Sequence, residues 1–155
     1  MSQTNADAVR NHPKFVESTD GVFDLRSLEF EGWVRVSNGE LVLVQEVPTL
    51  NATVEGETVA PVVEDGWFET FERRLEDAGN VTDGDVSDPV VTRQGETVRV
   101  ETRIRESPEK AAEVAVAVAN YVEGTWIEGI IPGYEYDERV SAIRDRAREN
   151  AQGQG

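Results

Sequence analysis

Asn38-Gly39 lies at the centre of "GWVRVSNGELVLVQEV", residues 32–47, and constrains the fold more tightly than any other feature of the chain. A two-residue type I′ turn needs φ > 0 at both central positions, and Asn-Gly is the dipeptide that accepts this at least cost. The turn pairs Ser37 with Glu40 and Val36 with Leu41. Counting outward by the two-residue period of a strand, Val34, Val36, Leu41 and Leu43 share one face. Trp33, Arg35, Val42 and Val44 share the other. The first face is core; the second is mixed.

A second hairpin is expected in "PVVTRQGETVRVETRIR", residues 89–105, where Val98, Val100, Thr102 and Ile104 alternate with Arg99, Glu101, Arg103 and Arg105. That alternation describes a strand with one buried and one wet face. A third hairpin is expected in "TVEGETVAPVV", residues 53–63, which shares the phrase Gly-Glu-x-Val. Pro61 confines that stretch to an edge or a strand end.

Each of the last two hairpins runs into a helix. Asp65 can cap "GWFETFERRLEDA", whose Trp67, Phe68, Phe71, Leu75 and Ala78 fall on one face, with Gly79 closing it. Ser107 followed by Pro108 is an N-cap and a first-position proline, opening "PEKAAEVAVAVANYV". Its apolar stripe continues in phase through Trp126, Gly129 and Ile130, so one helix is expected to reach about residue 130. Pro132-Gly133 then forms a type II turn, and a last amphipathic helix, "ERVSAIRDRAREN", presents Val140, Ile143 and Ala147. The order ββ-ββα-ββα plus a C-terminal helix predicts an α+β fold: an antiparallel sheet with two main helices on one face.

At 155 residues the chain can form one domain burying about 70% of its unfolded surface. Residues 1–20 are polar and expected to be mobile, 21–148 to be the domain, and 149–155 a disordered tail. No cysteine is present, which excludes disulfides, thiolate metal sites and a thiol nucleophile. The first residues form neither a basic n-region nor an apolar h-region, and no apolar run nears the ~20 residues of a membrane span. A soluble, cytoplasmic protein is the expectation.

Net charge is −16, and Lys14 and Lys110 stand against thirteen arginines. Such charge strains a compact state in dilute buffer, whereas in molar salt the Debye length falls to about 3 Å. The pattern points to a halophilic, acidic protein. It argues against nucleic acid as a partner, since phosphates require clustered basic residues. Arg93, Arg99, Arg103 and Arg105 are interleaved with Glu96, Glu101 and Glu106, the composition of a salt-bridged wet face.

The chemistry-bearing motifs are weak. "DGDVSD", residues 83–88, begins like a calcium loop but has Asp88 where glycine is required and Gln94 where a bidentate glutamate is required. Asn51-Ala-Thr53 and Asn80-Val-Thr82 are glycosylation sequons without an export signal. The single histidine, His12, has no serine and aspartate set around it in the expected fold. No metal ligands, cofactor site or catalytic set are predicted, so the reading leans away from an enzyme.

The candidate binding residues are Trp126, Ile127, Glu128, Ile131, Tyr134 and Tyr136, all within "GTWIEGIIPGYEY", residues 124–136. Val116, Ile127 and Ile131 fall near the polar face of the long helix, where the C-terminal helix is expected to fold back over them. Left uncovered, they would form a patch for self-association or a protein partner. Tyr134 and Tyr136 are expected to pin the turn; the functional alternative is a groove with Glu128 or Glu135 at its rim.

"NYVEGTWIEGIIPGYEY" after an Ala/Val-rich helix resembles a family of small acidic haloarchaeal proteins without an assigned activity. The resemblance implies a halophilic cytoplasmic setting and no functional residues. In element order alone the chain is also similar to secretion-chaperone-like and YbjN-like α+β domains. Two functions are consistent with these features. One is a non-enzymatic interaction module, with a protein partner or as a homodimer, using the long helix or the exposed sheet face. The other is a small-molecule-binding or enzymatic domain with a pocket near Trp126 and Tyr134.

Overall fold

The structure is a computed structural model and describes residues 4–153. Its centre is the expected hairpin: β3 (Glu31–Ser37) and β4 (Glu40–Pro48) pair Ser37 with Glu40 and Val36 with Leu41. Asn38 and Gly39 both adopt positive φ, 49° and 81°. β5 (Val90–Gln94) and β6 (Thr97–Ile104) form the second hairpin. With β1 (Phe15–Thr19) and β2 (Val22–Leu25) they make a six-stranded antiparallel sheet in the order β1-β2-β3-β4-β6-β5.

The fold is α+β, as expected, but the third hairpin lies elsewhere. It is β1-β2, not residues 53–63. Those residues follow a short helix α2 (Leu50–Thr53), and Val54 bridges Tyr136 instead of a neighbour in its own stretch. The Asn51 side chain accepts the Val59 N–H at 2.8 Å, and Glu64 accepts the Asn51 N–H at 3.1 Å. Side chains therefore claim the backbone donors that a hairpin would have used. Pro61 begins helix α3 (Pro61–Leu75) at a position where its missing N–H costs nothing. Ala60, not Asp65, is the residue before the first helical turn.

Helix α1 (Asn5–Asn11) and β1 occupy the stretch assigned to a mobile segment. Thr4 and Asp7 cap α1 reciprocally, and Ala8, Val9 and Phe15 are buried. Helix α4 (Pro108–Glu128) ends at Gly129, close to the expected end. Ser107 sits at its N-cap without a side-chain hydrogen bond. Helix α5 (Glu138–Gly153) buries Val140 and Ile143, the side chain of Ala147 lies outside what is described, and the expected tail continues α5 as far as Gly153.

One core joins the helices to one sheet face. Phe23, Val34, Leu41, Leu43, Val98, Val100 and Ile104 meet Trp67, Phe71, Val118 and Trp126 there. Ala111, Ala115 and Ala119 are fully buried, and these small side chains let α4 lie close on the sheet. Gln45 crosses this core to donate its amide to the Ala119 carbonyl at 3.2 Å. Val42 and Val44, on the opposite face, belong to no part of that core. Their face carries no helix.

Candidate functional site

The structure gathers the candidate binding residues into a docking arrangement rather than a pocket. Trp126 has no exposure; its indole N–H donates to the Pro48 carbonyl at 2.9 Å. Its ring meets Phe30 and Trp67 edge-to-face, with centroids at 5.1 and 6.1 Å. Ile127, Ile131, Tyr134 and Tyr136 are half-buried and packed against the core, while Glu128 is exposed. Val116 is buried. The Tyr136 hydroxyl donates to the Ile131 carbonyl, and burial raises its pKa.

Beyond the Pro132-Gly133 turn the backbone is tied to residues 53–55. The Glu55 N–H donates to the Glu135 carbonyl and the Asp137 N–H to the Thr53 carbonyl, each at 2.8 Å. These backbone bonds and the Tyr136 hydroxyl fasten the turn that connects α4 to α5.

Beside Trp126 a cavity of about 560 Å³ is walled by Phe30 and Pro48 together with Glu29, Glu31, Glu46 and Glu96. Arg139 reaches it but is held by Asp137 at 2.7 Å. Neither Trp126 nor Tyr134 lines this space. Among the described residues no group of three or more acidic or histidine side chains is placed to hold a metal ion. Residues 83–88 are tied to β6 instead: the Ser87 hydroxyl accepts the Arg103 N–H at 2.9 Å, and Val86 bridges Ile104. His12 approaches Glu113 at 3.0 Å and stacks edge-on against Phe15.

Sequence reasoning missed Glu123, on α4. Glu123 is buried and accepts the backbone N–H groups of Glu29 at 3.2 Å and Phe30 at 2.7 Å. Arg146 on α5 lies 3.7 Å away and binds Glu29 at 2.6 Å, so one carboxylate joins α4, the 29–30 loop and α5. Burial raises its pKa, with the two backbone bonds and Arg146 opposing. No local pattern marks this residue, because its backbone donors lie over 90 positions away.

The helix-free sheet face was expected from the element order; the row of side chains that crosses it was not. Cross-strand register places Val16, Asp24, Trp33, Val44, Glu101 and Val90 in one row across all six strands. The row ends are open, with Val16 48% and Val90 65% exposed. Flanking rows hold Val22, Arg35, Val42 and Arg103 on one side and Glu31, Glu46, Arg99 and Thr92 on the other.

Long side chains cover the central valines. The Arg99 guanidinium lies 5.8 Å from the Trp33 ring, and Arg35 and Arg103 reach Glu101 at 3.6 and 3.8 Å. Glu40 binds Arg103 and Arg105 at 3.3 and 2.6 Å, which lowers its pKa. Of the expected arginine cluster, Arg103 and Arg105 form ion pairs on this face, with Glu40 across the strand as a main partner, whereas Arg93 binds Asp65 of α3 at 3.0 Å and Arg99 lies over Trp33.

The structure thus defines an α+β protein with one sheet face under helices and the other bare. The chain belongs to a family of unknown function (DUF5813), whose family model matches residues 10–146. No curated protein and no solved structure matches it.

Proposed function

We propose that the protein is a non-enzymatic protein-interaction module of a halophilic cytoplasm, and that it docks through the helix-free sheet face. The observation that carries this reading is the row from Val16 to Val90. It sets exposed Val16 and Val90 at its ends and half-buried Trp33 between them on a face that carries no helix of the described fold. The face holds Asp24, Glu31, Glu40, Glu46 and Glu101 against Arg35, Arg99, Arg103 and Arg105, close to neutrality in a chain of −16. A partner meets less electrostatic resistance there than elsewhere. The excess of arginine over lysine and the net charge support the halophilic setting.

A small-molecule site near Trp126 and Tyr134 has less support. The indole N–H is already engaged by Pro48, and the neighbouring cavity is walled by carboxylates. The test is site-specific photo-crosslinking in host cells. A photoreactive residue at position 16 or 90 is expected to capture a protein, and one at Val62, on the exposed start of α3, is not. Equal capture at all three positions, or none at 16 and 90, defeats the proposal.

A further inference from the structure

We infer that the occupant of the helix-free face is a second copy of this chain, docked about a two-fold axis running along the central row of the sheet. The inference rests on the reading of that face as the docking surface.

Along β3 the outward residues are Glu31, Trp33 and Arg35, an anion and a cation placed symmetrically about an aromatic. A two-fold interface brings the same patch of each copy together, so the pattern has to be self-complementary. With the axis along the row through Trp33, strand direction reverses between copies while position across the sheet is kept. Glu31 of each copy then faces Arg35 of the other, and the two Trp33 side chains meet near the axis. Two sheets stacked about 10 Å apart lie within reach of such long side chains.

The isolated chain leaves this pattern unsatisfied. Glu31 and Glu46 stand directly opposite each other in register, a destabilising like-charge pair. Among the described residues neither has an ion-pair partner, and neither does Arg99. Around β6 the same rotation sets Arg99 against Arg103 and Glu101 against Glu101, with Glu46 beside them, so the opposed pair of the interface is Glu31 with Arg35 on β3. Arginines and glutamates there balance in number. Asp24 and Glu101, the two charges on the row itself, each face their own copy, and Glu101 is held by Arg35 and Arg103 of its own chain.

The apolar positions agree. Val16 meets Val16 and Val90 meets Val90 at the two ends of the row, where the single chain exposes them most. Five gaps of about 4.8 Å give a face roughly 24 Å wide. Two chains of −16 can approach most easily where each is locally near neutral.

Sedimentation equilibrium of the full chain in 2 M KCl tests this. The expected mass is twice the 17.2 kDa of one chain. Trp33→Asp and Val90→Glu are expected to give monomers with unchanged circular dichroism, while Val62→Glu stays dimeric. Arg35→Glu should weaken the dimer about tenfold or more, the size of effect a like-charge contact produces. Adding Glu31→Arg to that variant should restore it, because the swap re-forms the pair across the axis. A monomeric wild type, or a dimer insensitive to Trp33→Asp and Arg35→Glu, overturns the inference. Failure of the double swap overturns the two-fold. If the purified chain is monomeric while positions 16 and 90 still crosslink a different protein, the docking surface stands and the second copy does not.

Discussion

Glu123 sits where a carboxylate is least expected, buried between a loop and two helices. Two backbone donors and Arg146 hold it, yet burial raises its pKa above the ordinary value. The sign of the linkage follows: a folded-state pKa above the unfolded one means ionisation opposes folding. Its contribution to stability is full below the unfolded pKa and is lost as pH rises through the folded one. Lowering the pH from 7 towards 4.5 should therefore favour the wild type over Glu123→Gln, which has no proton to take up. Thermal melts of both proteins across that range check it, and a constant difference in Tm refutes it. The comparison with Glu123→Gln matters because Glu40 and Glu17, with pKa values lowered by Arg105 and Arg10, change stability in the opposite sense. Trp126 is the counterpart on the apolar side. Helical phase alone placed it on the core face of α4, and only its hydrogen bond to Pro48 required the structure.

At the scale of elements, the turn at Pro132-Gly133 decides how α5 returns to the body. Gly133 has φ +104°, a conformation side chains rarely adopt, with open space around it. Gly133→Ala should cost about 1–3 kcal/mol through backbone strain alone. Urea denaturation measures the loss, and hydrogen exchange should show it concentrated in residues 130–140. A variant as stable as wild type would mean the turn is not held in that geometry. The elements read correctly from sequence were those whose signals are local: the Asn38-Gly39 hairpin, the stripe of α4 and Pro108 at its start. Residues 53–63 misled because short β-prone runs acquire a partner only in three dimensions. Val54 takes Tyr136, and Asn51 with Glu64 occupies the donors nearby. The segment 4–19 misled for the converse reason. Its average polarity hides Ala8, Val9 and Phe15, and its capping pair Thr4 and Asp7 is a variant of the usual glutamate pattern.

For the whole molecule, charge dominates. Net charge of −16 on 155 residues repels itself across the surface, and the described ion pairs are mostly exposed and individually weak. Raising KCl from 0.1 to 2 M should raise Tm by several degrees or more, since a ΔΔG of 1 kcal/mol moves a domain of this size by about 2–4 °C. Self-association should strengthen over the same range. A melting point independent of salt would count against both the halophilic setting and charge repulsion as the main destabilising force. Among the described residues no helix is long and apolar enough to cross a membrane.

The sequence by itself determined the α+β class, the central hairpin, the long helix with its turn and the charge that governs behaviour in salt. Each of these depends on neighbours within a few positions, or on composition, where local geometry and summed charge act directly. The tertiary structure alone decided the pairing of residues 15–25, the burial of Glu123 and the row from Val16 to Val90. Those depend on register between strands far apart in the chain, and no single strand of the six carries more than one residue of that row. The bare face itself was legible, since alternation put Trp33, Arg35, Val42 and Val44 together and the element order set the helices on the other side. Which side chains line up across it follows only from the register of all six strands.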